Sequence, residues 1–414
     1  MVYGLAALLV VSSAVPAAAG EVEAGVGRET FTLPKHVPLA GYSRRKGRPS
    51  QGLHDPVGVR ALVIREGATT AALASCDLLI IDERLFDAVR RRAIEGGLPP
   101  DTLFLIAATH THSGPGAYGA RFLEKHSMGH FDPDIFEAIA DAIAQALLQA
   151  YRTMSPVRAA FRSSQTHGLL ENRVDAGAGT DNELTVYAVY RHGEARPMAV
   201  LVGFAAHPTT LGAWNWELSA DYPGVVMREV ERQLPSATCL FFAGAAGDQA
   251  PVKHGTGFEA AESLGQQLAA QVAALLDRAV TDAPQQLLGV QEDLPLPPAR
   301  VRVSRVTLPQ WLSARLVDDD ASLSLVAVGG TVFLGVPCDL TVSLGHVLKD
   351  AARSHGLQPV IVGFANDYIG YCVPETLYEQ DQYESSMAFN GPKTGELIVQ
   401  RLTEMIGRLV ISDQ

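Results

Sequence analysis

Residues 103–118, LFLIAATHTHSGPGAY, run from an apolar segment into His110, Thr111 and His112 and then break at Ser113, Gly114, Pro115 and Gly116. Leu103 to Ala108 is short, apolar and closed by a turn cluster, which predicts a buried strand feeding a loop at a sheet edge. If the chain stays extended past that strand, His110 and His112 point the same way, since side chains two apart share a face. Two imidazoles at the mouth of a strand can supply a metal ligand and a neighbouring proton carrier. The plain alternative is a pair of solvated loop histidines in a chain that holds 12 His.

The flanking sequence repeats this strand-then-polar pattern. Upstream, Glu21 to Phe31 reads as a strand, and Gly58 to Arg65 and Ala71 to Ile81 read as a hairpin linked around Glu66-Gly67-Ala68. Glu83 to Gly96 carries Leu85, Phe86, Val89 and Ala93 at helical spacing. Downstream, Asp132-Pro133-Asp134 starts a helix whose apolar face is Phe136, Ile139, Ile143 and Leu147. Strands follow at Val157 to Ser163, Leu184 to Arg191 and Ala199 to Ala206, then a helix at Tyr222 to Leu234, a buried strand at Ala237 to Ala245 and a long helix at Glu259 to Asp277. Gln285 to Arg302 is Pro-punctuated and reads as a linker. Ser322 to Leu334 is a Gly-Gly hairpin, Leu340 to Ser354 a helix, Val360 to Phe364 a strand and Lys393 to Ile411 a closing helix. Alternating strands and helices with several apolar strands predict an α/β protein of mixed β-sheets flanked by helices, one domain over residues 21–414.

A net charge of −12 argues against a phosphate-binding surface and hence against nucleic acid. Gly4 to Ala19 is apolar and ends in Ala17-Ala18-Ala19, so residues 1–20 read as a signal peptide and the protein as secreted or periplasmic, although no Lys or Arg precedes Arg28. A membrane helix needs roughly 20 apolar residues, and none is expected in the mature chain. Cys76, Cys239, Cys338 and Cys372 form no CxxC pair, which leaves three pairings or free thiols open.

Several strand ends deliver polar residues as the first one does. His207 follows the strand ending at Ala206, Asp339 follows Thr331 to Val336, and Tyr371 lies past Val360 to Phe364. Residues at the ends of different strands can converge on one cleft. Two imidazoles and a carboxylate form a catalytic zinc set with a position left for water. Each residue has a structural alternative: Asp339 as N-cap of a helix beginning at Leu340, His207 as a turn histidine, Tyr371 as a core aromatic.

The motifs AGVGRETF, GLHDPVGVRALV, ATHTHSGPGAY, Glu171-Asn172-Arg173, DNELTVY, FAAHPTT, FAGAAGDQAP and NDYIGYCVPETLYEQDQYESSMAFNGP follow one another in order. In this ordered set the chain resembles the neutral, non-lysosomal ceramidases, zinc-dependent amidases that cleave the N-acyl bond of ceramide. The resemblance implies one zinc ion held by His110, His207, Asp339 and Tyr371. It implies that His112 and Arg173 flank the substrate carbonyl with Tyr383 nearby, and that the substrate is a lipid or small-molecule amide. Trp214 and Trp216 follow the His207 loop closely and, with Asp248, are expected to contact substrate; the indoles could equally cover a core edge. Three departures bear on ceramide itself. The family's GDxSP loop reads Gly247-Asp248-Gln249-Ala250-Pro251 and lacks the serine hydroxyl, Asp339 stands where the family has Glu, and no C-terminal immunoglobulin-like domain is expected. The sequence contains no GxSxG elbow for a serine nucleophile. The competing classes are therefore a metal-dependent amide or ester hydrolase and a non-catalytic member that keeps the fold to bind a ligand.

Overall fold

Short apolar strands alternating with amphipathic helices close into four layers, helix, sheet, sheet, helix, in the computed structural model, which describes residues 21–281, 286–303, 306–380 and 382–411. The first sheet is built from β1 (Glu23–Thr30), β2 (Gly58–Glu66), β3 (Thr69–Cys76), β4 (Leu103–Ala108), β5 (Ser155–Gln165), β6 (Glu183–Arg191), β7 (Ala199–Phe204) and β8 (Thr238–Ala243). Their spatial order is β8-β7-β6-β5-β1-β2-β3-β4. Its middle is antiparallel and its two rims are parallel pairs, β3 with β4 and β7 with β8. The second sheet holds β9 (Leu287–Pro295), β10 (Asp320–Val328), β11 (Thr331–Val336) and β12 (Gln358–Gly363), antiparallel except for β11 with β12. The main helices are α1 (Glu83–Glu95), α2 (Phe122–Met128), α3 (Pro133–Arg152), α4 (Asp221–Gln233), α5 (Phe258–Leu276), α6 (Val342–Ser354) and α7 (Thr394–Ile411).

Parallel neighbours cannot be joined by a hairpin, so each parallel pair needs a crossover, and α1, α4 and α6 supply the three. The residues just beyond the carboxyl ends of β4, β7, β11 and β12 are those singled out in the sequence.

Packing follows from the burial pattern. Phe136, Ile139, Ile143 and Leu147 of α3 are all buried, each worth about 1.5–3 kcal/mol of apolar burial. They share one core with Val59, Ala61 and Val63 of β2. The opposite face of that sheet, including Leu62, Leu73 and Leu105, packs on Val326, Phe333 and Val360 of the second sheet. Leu325 and Leu334 then pack against Leu348 of α6 and Leu402 of α7. Helix α3 lies so close to β1 that a Cβ on Gly27 would sit 2.0 Å from the Ala146 carbonyl oxygen, and one on Gly25 2.1 Å from that of Ala150.

Four expectations are corrected. Leu287–Pro295, within the stretch read as a linker, is a nine-residue strand paired along its length with β10; Pro295 is tolerated because it stands at the strand's end. The strand from Ala71 stops at Cys76, where the buried Asp77 carboxylate accepts from the Gly58 amide and pairs with Arg60. Helix α6 begins at Val342 rather than Leu340, with Thr341 at the N-cap, so Asp339 is not its cap. Helix α2 was not predicted; seven residues are too few for periodicity to register. The leader at 1–20 lies outside the described residues. All four cysteines are free and buried, and among the described residues no helix is long and apolar enough to cross a membrane.

The contact between α3 and β1 yields a direct test. Gly27→Val should lower stability by about 1–3 kcal/mol or more, read from urea or thermal unfolding, because the clash is with backbone that cannot rotate away.

Candidate metal centre

The chain does not stay extended after β4. His110 adopts a left-handed backbone, φ 65°, a conformation that costs a non-glycine residue of order 1–3 kcal/mol and persists only where its surroundings over-determine it. Here they do. Asn366 grips the edge of β4, accepting from the Ile106 amide (2.8 Å) and donating to the Phe104 carbonyl (2.8 Å). The Phe364 ring stacks on His110 at 3.8 Å and 6°. His110 Nδ1 lies 2.6 Å from the Leu79 carbonyl. The histidines thus converge through a bend at His110, not through shared strand polarity.

His207 comes from the other rim of the same sheet. Its amide donates to the Gln249 carbonyl (3.0 Å) and its Nδ1 faces the Ala246 carbonyl at 3.2 Å. A carbonyl opposite Nδ1 requires that nitrogen to carry the proton, which leaves the Nε2 of both His110 and His207 as bare lone pairs. These two atoms are 3.1 Å apart, and His112 Nε2 is 3.0 Å from His207 and 3.4 Å from His110. Two lone pairs at that distance repel and make no hydrogen bond. The spacing is that of nitrogens around a tetrahedral ion, about 3.3 Å for bonds of about 2.0–2.1 Å. The three histidines form a group able to hold a metal ion.

Asp339 completes the arrangement. It sits in a short parallel ladder opposite Tyr371. Its Oδ2 accepts from the Tyr368 hydroxyl at 2.7 Å, while the fully buried Oδ1 has no hydrogen-bond partner and lies 3.5 Å from His110 Nε2. Burial lowers the pKa of His110 to about 3 and those of His112 and His207 well below the usual value. Burial raises that of Asp339 to about 7, against the Tyr368 hydrogen bond and the charge of Arg173. The rings are therefore neutral and the contact is not an ion pair. An orphaned carboxylate oxygen beside convergent lone pairs fits a cation.

Arg173 Nη2 donates to the Tyr371 hydroxyl (2.9 Å) and the Gly247 carbonyl (2.7 Å), and its Nε pairs with Glu384 at 3.1 Å. Burial opposes its charge, but Tyr371, Glu384 and Asp339 outweigh burial and hold its pKa above the ordinary value. Burial, followed by the charge of Asp339, raises the pKa of Tyr371 well above that of a free phenol. Tyr383 stands edge-on to Tyr371 at 5.8 Å and is 61% exposed at the cavity margin.

Three residues expected to contact substrate do not line the cavity beside the histidines. Trp214 is 59% exposed and leans over Gly257, and neither it nor Trp216 lines the cavity beside the histidines. Asp248 is a buried tie whose Oδ1 accepts from the Val342 amide at the start of α6 and whose Oδ2 accepts from Asn172. Tyr368, Phe364, Glu384 and Arg45 were missed. Tyr368 lies in the NDYIGY segment that flagged Tyr371. Arg45 is buried and ties the carbonyls of Ala40 and His112 together (2.8 and 2.5 Å), for which no local pattern gives a signal.

Residues 23–263 match the model of a family described as neutral/alkaline non-lysosomal ceramidase, N-terminal. The chain is 28% identical to the neutral ceramidase of Mycobacterium tuberculosis over 220 residues, 49% of this chain and 34% of that one. It is 28% identical to the neutral ceramidase of Pseudomonas aeruginosa over 217 residues, 48% of this chain and 32% of that one. The matched stretch thus spans about a third of the length of these relatives. A crystal structure of the Pseudomonas aeruginosa enzyme superposes with TM-score 0.84 at 21% identity, over 95% of this chain and 75% of that one. A structure described as ceramidase complexed with C2 superposes with TM-score 0.83 at 19% identity, over 95% and 76%. Both show the fold.

Two outcomes follow. Tyr368→Phe removes the donor to Asp339 and should weaken metal affinity about 10–100-fold without unfolding the protein, as read by chelator competition. Because burial raises Asp339 to about 7, ligation requires loss of its proton. Metal affinity should accordingly rise with pH up to about 7 and fall about tenfold per unit below it, with proton release seen by calorimetry in two buffers.

Proposed function

The chain belongs to the neutral/alkaline non-lysosomal ceramidase family, and from that premise we propose that it is a zinc-dependent hydrolase of an N-acyl, ceramide-like amide bond. The partnerless Asp339 Oδ1 beside the convergent imidazole nitrogens carries this reading. His110, His207 and Asp339 would hold the ion, with Tyr371 as a further ligand and His112 close enough either to join them or to face substrate. Zinc held there supplies Lewis acidity, lowering the pKa of water toward about 7 and polarising a carbonyl.

The protein's own groups do the rest. The neutral His112 ring offers one N–H to a carbonyl oxygen as negative charge builds on it. Arg173 stays charged and is aimed by the Gly247 carbonyl and the Tyr371 hydroxyl, so it meets that charge without reorganising. A preorganised donor of this kind contributes on the order of 3 kcal/mol. Tyr383, at the cavity margin, would contact the solvent-side part of the substrate.

Ala250 favours a second reading, another amide or an ester cleaved by the same machinery. It lies in a short strand opposite Glu171 and presents no hydroxyl. His112 and Arg173 would then be the side chains left to act on the carbonyl, with His110, His207, Asp339 and Tyr371 holding the ion that would supply Lewis acidity.

We expect one zinc per chain and chelator-sensitive release of fatty acid from a short-chain fluorescent ceramide. His207→Ala should lose both zinc and turnover. Full turnover by a zinc-free preparation would contradict the proposal, and zinc without release would shift it to the wider amide and ester panel.

A further inference from the structure

The cavity beside the metal centre has an apolar wall and, in its lining, one ion pair that forms a charged bar. Leu79, Ile80, Leu123, Met128, Leu316 and Val317 line it together with His110 and Asp339. Arg121 and Asp318 line it as well and form an ion pair with each other. They come from distant parts of the chain. Arg121 is the N-cap of α2, on the His112 side, and Asp318 precedes β10 of the second sheet. The inner end of the cavity is buried at His110 and Asp339, whereas the Arg121 side chain is 36% exposed and also reaches Glu83. The pair therefore stands toward the solvent end.

Both halves of the bar are anchored. Glu124 accepts from the Arg121 amide at 2.6 Å, and the Gly41 amide donates to the Ser127 carbonyl at 3.0 Å, which pins α2 to the loop beneath it. On the other side Asn390 donates to the Asp318 carbonyl at 3.2 Å, and the Leu296 amide donates to that of Asp319 at 2.8 Å. Asp318 is 12% exposed, so its charge is shielded from water and depends on Arg121.

We infer that Arg121 and Asp318 are specificity-determining residues: their ion pair bars the apolar cavity and limits the length of acyl chain that fits between it and the metal centre. An apolar chain gains affinity for each methylene placed against the wall, about fourfold each. A methylene that would meet the bar must instead displace a partly buried ion pair or turn back into water, so the gain stops there. As a statement about substrate choice this rests on the amide-hydrolase reading, whereas occupation of the cavity by a chain does not.

The test is binding, not turnover. Calorimetric titration of the full-length, zinc-loaded protein with butanoate, hexanoate, octanoate, decanoate and dodecanoate should show affinity rising and then levelling at one chain length. Asp318→Ala should leave the shorter acids unchanged and carry the rise onward, tightening the acid two methylenes beyond the plateau about 15-fold. Asp318→Asn, which keeps the shape and removes the charge, should shift the plateau the same way and stands in if the alanine variant fails to fold. A plateau at the same length in wild type and the folded variant overturns the inference, as does failure of every acid to bind wild type. A shifted plateau in a protein that cleaves no amide or ester would uphold the bar and defeat the hydrolase reading instead.

Discussion

Two unprotonated imidazole nitrogens 3.1 Å apart, with a carboxylate oxygen that no donor reaches, are an arrangement a protein interior resists unless something holds it. Here the holding is done at one remove from the site. The Leu79 and Ala246 carbonyls fix the tautomers of His110 and His207, Tyr368 occupies the other oxygen of Asp339, and Phe364 and Asn366 fix the bend at His110. Those partners in turn depend on the two sheets meeting at the free edge of β4, where residues 364–366 continue past β12. Burial does the electrostatic part, keeping the rings neutral and the carboxyl reluctant to ionise, a donor set able to hold a cation.

The position of the site was readable because parallel strand pairs have a chemical signature. Each is an apolar run, a crossover helix and a polar residue at the strand end, and that pattern singles out His110, His207, Asp339 and Tyr371 as candidates. What local sequence could not carry was geometry set by distant contacts. The left-handed turn at His110 is imposed from residues more than two hundred positions away, so extension was the natural and mistaken expectation. Asp339 and Asp248 show the same limit in exchange. Helix propensity assigned the cap to Asp339, while the carboxylate that takes the Val342 amide belongs to Asp248, ninety-four residues earlier. The linker at Leu287–Pro295 became a strand because β10 offered a free edge, which proline spacing alone does not reveal.

Around this centre the chain combines a rigid inner end with a selective outer one. The residues proposed to hold the ion, His110, His207, Asp339 and Tyr371, are buried, whereas Arg173, Tyr383 and Arg121 are partly open to solvent. Under the proposed function, chemistry and selectivity are carried by different residues.

X-ray absorption at the zinc edge of the purified, metal-loaded protein examines the centre most directly. The account predicts a first shell of nitrogen and oxygen only, at about 2.0–2.2 Å, with imidazole back-scattering that diminishes in His110→Ala and His207→Ala. A shell containing sulfur at about 2.3 Å, which would place the ion on Cys338 or Cys372, or a spectrum unchanged by either substitution, would contradict it.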